Sequence, residues 1–336
     1  MYLRVCCSAV IMRLRKAVEV HTDGKETVMN SARNHLNKGL TAIRNHWQLY
    51  VIFLFPLAHV LIFKYIPIYG IQIAFKRWNP ALGSVGSPWI GLKNFQQFFS
   101  SPDALRIIIN TIRISLISLA LSFPAPIILA LAVNACGKVG FKKTVQMVTY
   151  APHFISTVIM VGILMQLTDI RLGIINIIIK ELGFEPVNFM GSAPLFPWLY
   201  VISGIWQQAG YKSVLYIAAL AGISPELHEA ATVDGASRFQ RMLHVDIPGI
   251  LPTIVLMLIL DVGSMMNVGY QKVFLMQNNM NLGTSEIIST YVYKVGLKQA
   301  NYSFSTAINL MNTMVSLILV SSTNYISRKL TETSLW

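Results

Sequence analysis

Long apolar runs alternate along this chain with short polar, turn-rich segments. A helix that rises 1.5 Å per residue needs about 20 apolar residues to cross a hydrocarbon core of roughly 30 Å. Six runs of about that length occur, at 48–70, 107–135, 144–168, 195–221, 247–270 and 304–326. The pattern predicts an all-α, polytopic membrane protein with six transmembrane helices, in a membrane domain covering 47–330. The apolar stretch 173–182 carries Lys180 and Glu181 and is too short to span, so it predicts an interfacial helix. Along 89–99, the helical spacing of Phe95, Phe98 and Phe99 predicts a helix lying on the outer membrane surface.

Composition agrees with a membrane as the solvent. Of 336 residues, 54% are hydrophobic and 12% charged, with a mean hydropathy of +0.55, more apolar surface than one soluble core of this length hides. The net charge of +13 does not point to nucleic acid, because Lys and Arg sit in short clusters between the apolar runs and form no continuous basic face. They report topology. With both termini inside, the inner segments hold 15 Lys and Arg against 9 in the outer ones, which orients both termini toward the cytoplasm. Residues 1–46 read as a cytoplasmic leader in which Met12 offers an alternative start, and the apolar run 5–12 is short and lacks a small-residue cleavage site. Cys6, Cys7 and Cys136 match neither a disulfide framework nor a metal-ligand spacing.

The segment 222–246, between the fourth and fifth runs, carries the mechanism. Ser224 stands at a helix start with Glu226 and Glu229 near its positive end, Gly235 breaks the helix, and a second amphipathic helix is expected over 236–244 before Pro248 and Pro252. A short helix, a glycine turn and another short helix make a rigid element small enough to fit a groove on a partner. Glu229-Ala230-Ala231, then Gly235 four residues on, then Val245-Asp246-Ile247-Pro248 after nine more, resemble the hallmark of the permease subunits of binding-protein-dependent ATP-binding-cassette importers. The stretches 65–70, 74–76, 87–95, 110–111, 150–156 and 216–220 are similar to the subgroup that imports oligosaccharides and polysaccharide fragments, alginate importers among them.

The resemblance implies a type I importer permease in a bacterial inner membrane. It implies a second, non-identical permease, two ATPase subunits and an extracytoplasmic solute-binding protein as partners, besides membrane lipid. No G-x-x-x-x-G-K-[ST] loop occurs, so ATP and Mg are expected on the ATPase subunit, and the chain itself is expected to have no catalytic residue, cofactor or metal. The coupling contacts implied are Glu229, Ala230, Ala231, Asp234, Gly235 and Phe239.

Polar groups within the runs are costly in lipid and face a cavity or another helix. The candidate solute path comprises Trp206, Gln207 and Tyr211 of the fourth run, Asp261, Asn267 and Tyr270 of the fifth, and Asn309 and Thr313 of the sixth, where Thr306, Asn309, Thr313 and Ser316 form one stripe. Aromatic rings and hydrogen-bonding groups suit a sugar, although the same residues could join helix to helix. Asp261 needs a partner, Lys212 can snorkel or pair with a carboxylate, and an acidic residue here weighs mildly against an anionic solute. An ion-driven secondary carrier would favour inverted repeats and several buried carboxylates. A membrane enzyme would need a motif such as H-E-x-x-H.

Overall fold

The structure, a computed structural model, describes residues 45–331, the last two as backbone only. The expected leader lies outside the described residues apart from its final two positions. The first apolar run forms α1 (Trp47–Val60), continued by a π turn (Leu61–Tyr65) and a 3-10 segment (Ile66–Phe75). Together they make 29 residues long and apolar enough to span. This helix as far as Gly70 is a unit of its own.

From Ile71 onward the chain builds the second unit. Helix α2 (Lys93–Phe99) leads to α3 (Ala104–Ser122) and α4 (Pro124–Ala135), which form one 32-residue span. Pro124 occupies the first turn of α4, where a missing amide costs nothing. The third run is not the straight span expected over 144–168. It consists of α5 (Val139–Tyr150), a 3-10 turn (Ala151–Phe154) and α6 (Thr157–Leu167), bent by 104°. Pro152 removes an amide from the ladder, Ile155 and Ser156 are extended, and the Ser156 hydroxyl accepts from the Ile159 amide to start a new helix.

Helix α7 (Ile174–Glu181) is the short amphipathic element expected at 173–182, and α8 (Phe196–Ala221) occupies the fourth apolar run. Its 26 residues reach ~39 Å. Its polar stretch around Gln207 and Lys212 sets it apart from the four described helices, and the bent pair, that are apolar enough by composition alone. The hairpin between the fourth and fifth runs is α9 (Pro225–Val233), then α10 (Arg238–Arg241), a π turn (Met242–Asp246) and α11 (Ile247–Ser264). Two expectations need correcting. The second hairpin helix is not separate but continues through Pro248 into the span, 27 residues in all from Arg238 to Ser264. The fifth span also ends at Ser264, so Asn267 lies in the following turn and Tyr270 opens a new helix.

The segment 271–303, expected as an outer loop, folds as α12 (Tyr270–Met276), α13 (Ile288–Tyr293) and a π turn (Lys294–Lys298) ahead of the last span, α14 (Tyr302–Thr331). Val273, Met276 and Ile287 of this segment pack with Ile114, Met160 and Phe196. Its Glu286 is buried between Arg106 (2.8 Å) and Lys294 (2.7 Å). Phe98 is likewise no surface anchor: it is buried with Ile107, Met266, Phe304 and Ile308, while Phe99 is exposed.

Close approach at a glycine marks two helix pairs, against backbone in the first and against a side chain in the second. A Cβ on Gly210 of α8 would stand 2.0 Å from the Thr149 carbonyl oxygen of α5, and one on Gly263 of α11 would stand 2.5 Å from Val320 of α14. Small residues at such crossings let helices pack tightly where lipid provides no hydrophobic drive.

Candidate functional site

Two adjoining cavities, about 160 and 260 Å³, open between α3, α8 and the α11–α12 connection, and share Ser118, Ser122, Tyr200, Lys212 and Gly269 in their walls. Three ionisable side chains of opposite sign meet here. Lys212 donates to both carboxylate oxygens of Asp261, at 3.0 and 3.2 Å, so the mid-span acid has its counter-ion on the neighbouring helix. The third is Lys272 of α12, only 8% exposed. Its Nζ donates to the Tyr200 carbonyl at 2.6 Å and sits 4.5 Å from the centre of the Tyr200 ring. Burial lowers the Lys272 ammonium to about 7, since a low-dielectric site disfavours charge. Tyr200 is held in turn by its hydroxyl, which accepts from the Gly269 amide at 3.1 Å. Gly204 leaves room beside the lysine, because a Cβ there would stand 3.2 Å from Nζ.

Of the residues predicted for the solute path, Asp261, Asn267 and Gln207 line these cavities. Gln207 also donates to the Ile155 carbonyl at 2.9 Å, holding the bend between α5 and α6. Tyr211 stacks on His153 at 3.8 Å, Trp206 is half exposed, and Tyr270 clusters with Phe274 and Tyr293, so these three aromatic groups stand apart from the cavity walls. Of the predicted stripe on the last span, Ser316 is buried and Thr306 half-buried, but the two residues named for the solute path are not. Asn309 and Thr313 are exposed, with the Thr313 hydroxyl donating back to the Asn309 carbonyl, and the buried polar face runs through Ser305, Asn312 and Ser316. Asn312 reaches Asn267 at 3.3 Å. Tyr200 and Lys272 went unnoticed in the sequence. A lysine inside the apolar segment 268–276 was the available signal.

The second candidate is the hairpin. Helix α9 ends in a Schellman motif: the Ala236 amide donates to the Ala231 carbonyl (2.9 Å) and the Gly235 amide to that of Thr232 (3.1 Å). Gly235 takes φ 78°, the left-handed region that favours glycine. A Cβ on it would meet nothing, so it is required for its backbone and not for space. Ser237 and Gln240 form a reciprocal capping box that starts α10, whereas Ser224 occupies the cap position of α9 without the expected side-chain bond. Arg241 donates to Thr232 across the turn, and His228 lies 3.3 Å from the buried Asp246. These contacts brace the hairpin while its apolar tips face outward. Val233 is 88% exposed and Phe239 66%. Glu229, Ala230 and Asp234 are exposed as well, and Ala231 is half-buried.

With this geometry established, known proteins supply the context. A family model described as "Binding-protein-dependent transport system inner membrane component" matches residues 115–332. Protein LplB of Bacillus subtilis is 40% identical over 88% of this chain and 93% of its own length. The polygalacturonan/rhamnogalacturonan transport system permease protein YteP, also of Bacillus subtilis, is 40% identical over 86% of this chain and 90% of its own. Among solved structures, a chain of a bacterial alginate ABC transporter in complex with an alginate pentasaccharide-bound periplasmic protein superposes with a TM-score of 0.81 at 36% identity, covering 88% of this chain and 99% of that one.

Proposed function

The chain belongs to the binding-protein-dependent transport system inner membrane components, as a permease of the oligosaccharide-importing kind, and from that premise we propose that its α9–α10 hairpin couples it to a separate cytoplasmic ATPase. It is a multi-pass membrane protein and a transport component. In this reading Glu229, Ala230, Ala231, Asp234, Gly235 and Phe239 form the contact with the ATPase subunit, which binds ATP and Mg. A second, non-identical permease completes the solute path, a second ATPase sits beneath it, and an extracytoplasmic binding protein delivers the saccharide. Both termini face the cytoplasm.

The observation that carries the proposal is the braced hairpin with exposed apolar tips. An isolated soluble surface gains nothing by presenting Val233 and Phe239 to water, whereas a groove on a partner buries them. Continuity supplies the mechanism. Because α10, the π turn and α11 form one uninterrupted helix, displacement of Phe239 by closing ATPases is transmitted directly into the fifth span and the Asp261 wall of the cavity. The π turn at Met242–Asp246 is the place where that helix can adjust its register. Rocking of packed helices of this kind exchanges inward-open and outward-open states.

The test is two-sided. In a background with Cys6, Cys7 and Cys136 replaced by serine, Val233→Cys should react with a membrane-impermeant maleimide only from the cytoplasmic face. The wild-type chain, purified with its co-expressed neighbours, should bring down an ATPase whose hydrolysis rises with the loaded binding protein. Labelling from outside, or transport without a nucleotide hydrolase, would overturn the proposal.

A further inference from the structure

The two cavities carry an unbalanced charge. Lys212 and Asp261 neutralise one another, and the only other charged side chain in either wall is Lys272. No carboxylate lies within ion-pair distance of it among the described residues. Its neighbours, a backbone carbonyl and the face of a tyrosine ring, present partial negative charge only. A buried ammonium without a counter-ion is costly as a rule, and an ionisable residue among membrane helices is by default a functional group with a partner to be named. An ammonium has three donors, and Lys272 spends one on Tyr200.

We propose that Lys272 receives the carboxylate of an acidic oligosaccharide passing through the permease, so that the transported sugar is a uronate polymer fragment. This rests on the reading of the chain as an oligosaccharide permease. The pairing of Asp261 with Lys212 removes the objection that an acid in the path repels an anion, and the net sign of the walls becomes positive. The surroundings suit a sugar acid: Ser118 and Ser122 offer hydroxyls to its hydroxyls, and the absent side chain at Gly204 leaves space for it beside Nζ. Burial that disfavours the free ammonium makes an arriving carboxylate the group that restores the charged form. The counter-charge therefore arrives with the cargo and leaves with it, which suits a passage site better than a resident ion pair.

The experiment uses the whole transporter in proteoliposomes, with both permeases, the ATPases and the binding protein, and two probes of equal length, trigalacturonate and its methyl ester. The quantity read is the variant-to-wild-type uptake ratio for each probe, which cancels the binding protein's own preference. Lys272→Met should lower that ratio about tenfold or more for the acid and leave it near one for the ester, and Lys272→Arg should recover most of the acid uptake. Equal loss for both probes would mean that the lysine only holds Tyr200, and no loss would mean that it does nothing to the solute; either overturns the inference. A wild-type complex that moves the ester but not the acid also overturns it, while leaving the permease assignment intact. A wild type that moves neither probe nor any neutral oligosaccharide overturns both.

Discussion

The hairpin and the cavity are the two candidate functional regions of this permease, and they are built on opposite plans. The bonds at the hairpin turn are short-range, Ala231 to Ala236, Thr232 to Gly235, Ser237 to Gln240 and Thr232 to Arg241, and even the bracing pair His228 and Asp246 lies only 18 positions apart. Its working surface is apolar and faces outward. The cavity is assembled across the chain, with Lys212 meeting Asp261 49 positions on and Tyr200 meeting Lys272 72 positions on. Its working surface is polar and faces inward. If the hairpin is gripped by another subunit as proposed, it keeps its shape alone and exposes what that partner buries. A passage for solute hides its charges and depends on the packing of helices around it.

Substitutions should separate the two plans, most strongly at the helix crossing beside the cavity. Gly210→Ala places a methyl group against the Thr149 backbone, a clash no side-chain rotation relieves, and should cost ~3 kcal/mol or more; a fluorescent fusion should fail to give a monodisperse peak in detergent. Phe239→Ala should leave that peak unchanged yet weaken ATPase binding by about 2–3 kcal/mol, as truncation of an aromatic anchor does, read as loss of co-purification. Asp261→Asn strands the Lys212 ammonium. The pair is partly open to the cavity, so the cost should fall between exposed and buried pairs, roughly 2 kcal/mol, seen as a lower Tm that Lys212→Met in the same chain partly restores. Gly235→Ala forces alanine into the left-handed region and should cost about 1 kcal/mol. Its expected effect is a several-fold drop in transport per ATP hydrolysed, with insertion and assembly normal. Should Gly210→Ala fold well, or Phe239→Ala unfold the chain, the contrast between the regions would fail.

The sequence made the hairpin largely legible because caps and turns are local chemistry: Glu229-Ala230-Ala231 and Gly235 can be read without knowing any neighbour. It misjudged where that hairpin ends. Pro248 suggests a break, yet the helix runs through it, with a π turn at Met242–Asp246, where the Ile247 amide donates to the Met242 carbonyl, lying directly before the proline. The bend at Pro152 was missed for the converse reason. A proline amid apolar residues kinks or merely starts a helix according to what satisfies the freed groups, and here Gln207 from α8 does so at Ile155. In the cavity, residue type alone identified Asp261 as needing a partner but did not choose it. Trp206 and Tyr211 have the chemistry of a sugar site and stand elsewhere, while Tyr200 and Lys272 form the wall.

What the sequence determines by itself is therefore whatever depends on length, hydropathy and short-range bonds: the all-helical membrane class, the approximate spans and the glycine turn of the hairpin. Which polar side chains share a cavity, and that the stretch after the fifth span folds back into the core with Lys272 and Glu286, was decided only in three dimensions. The physical reason is that a charge in a membrane protein is tolerated or not according to its partner, and partners on different helices are brought together by packing that no local pattern encodes.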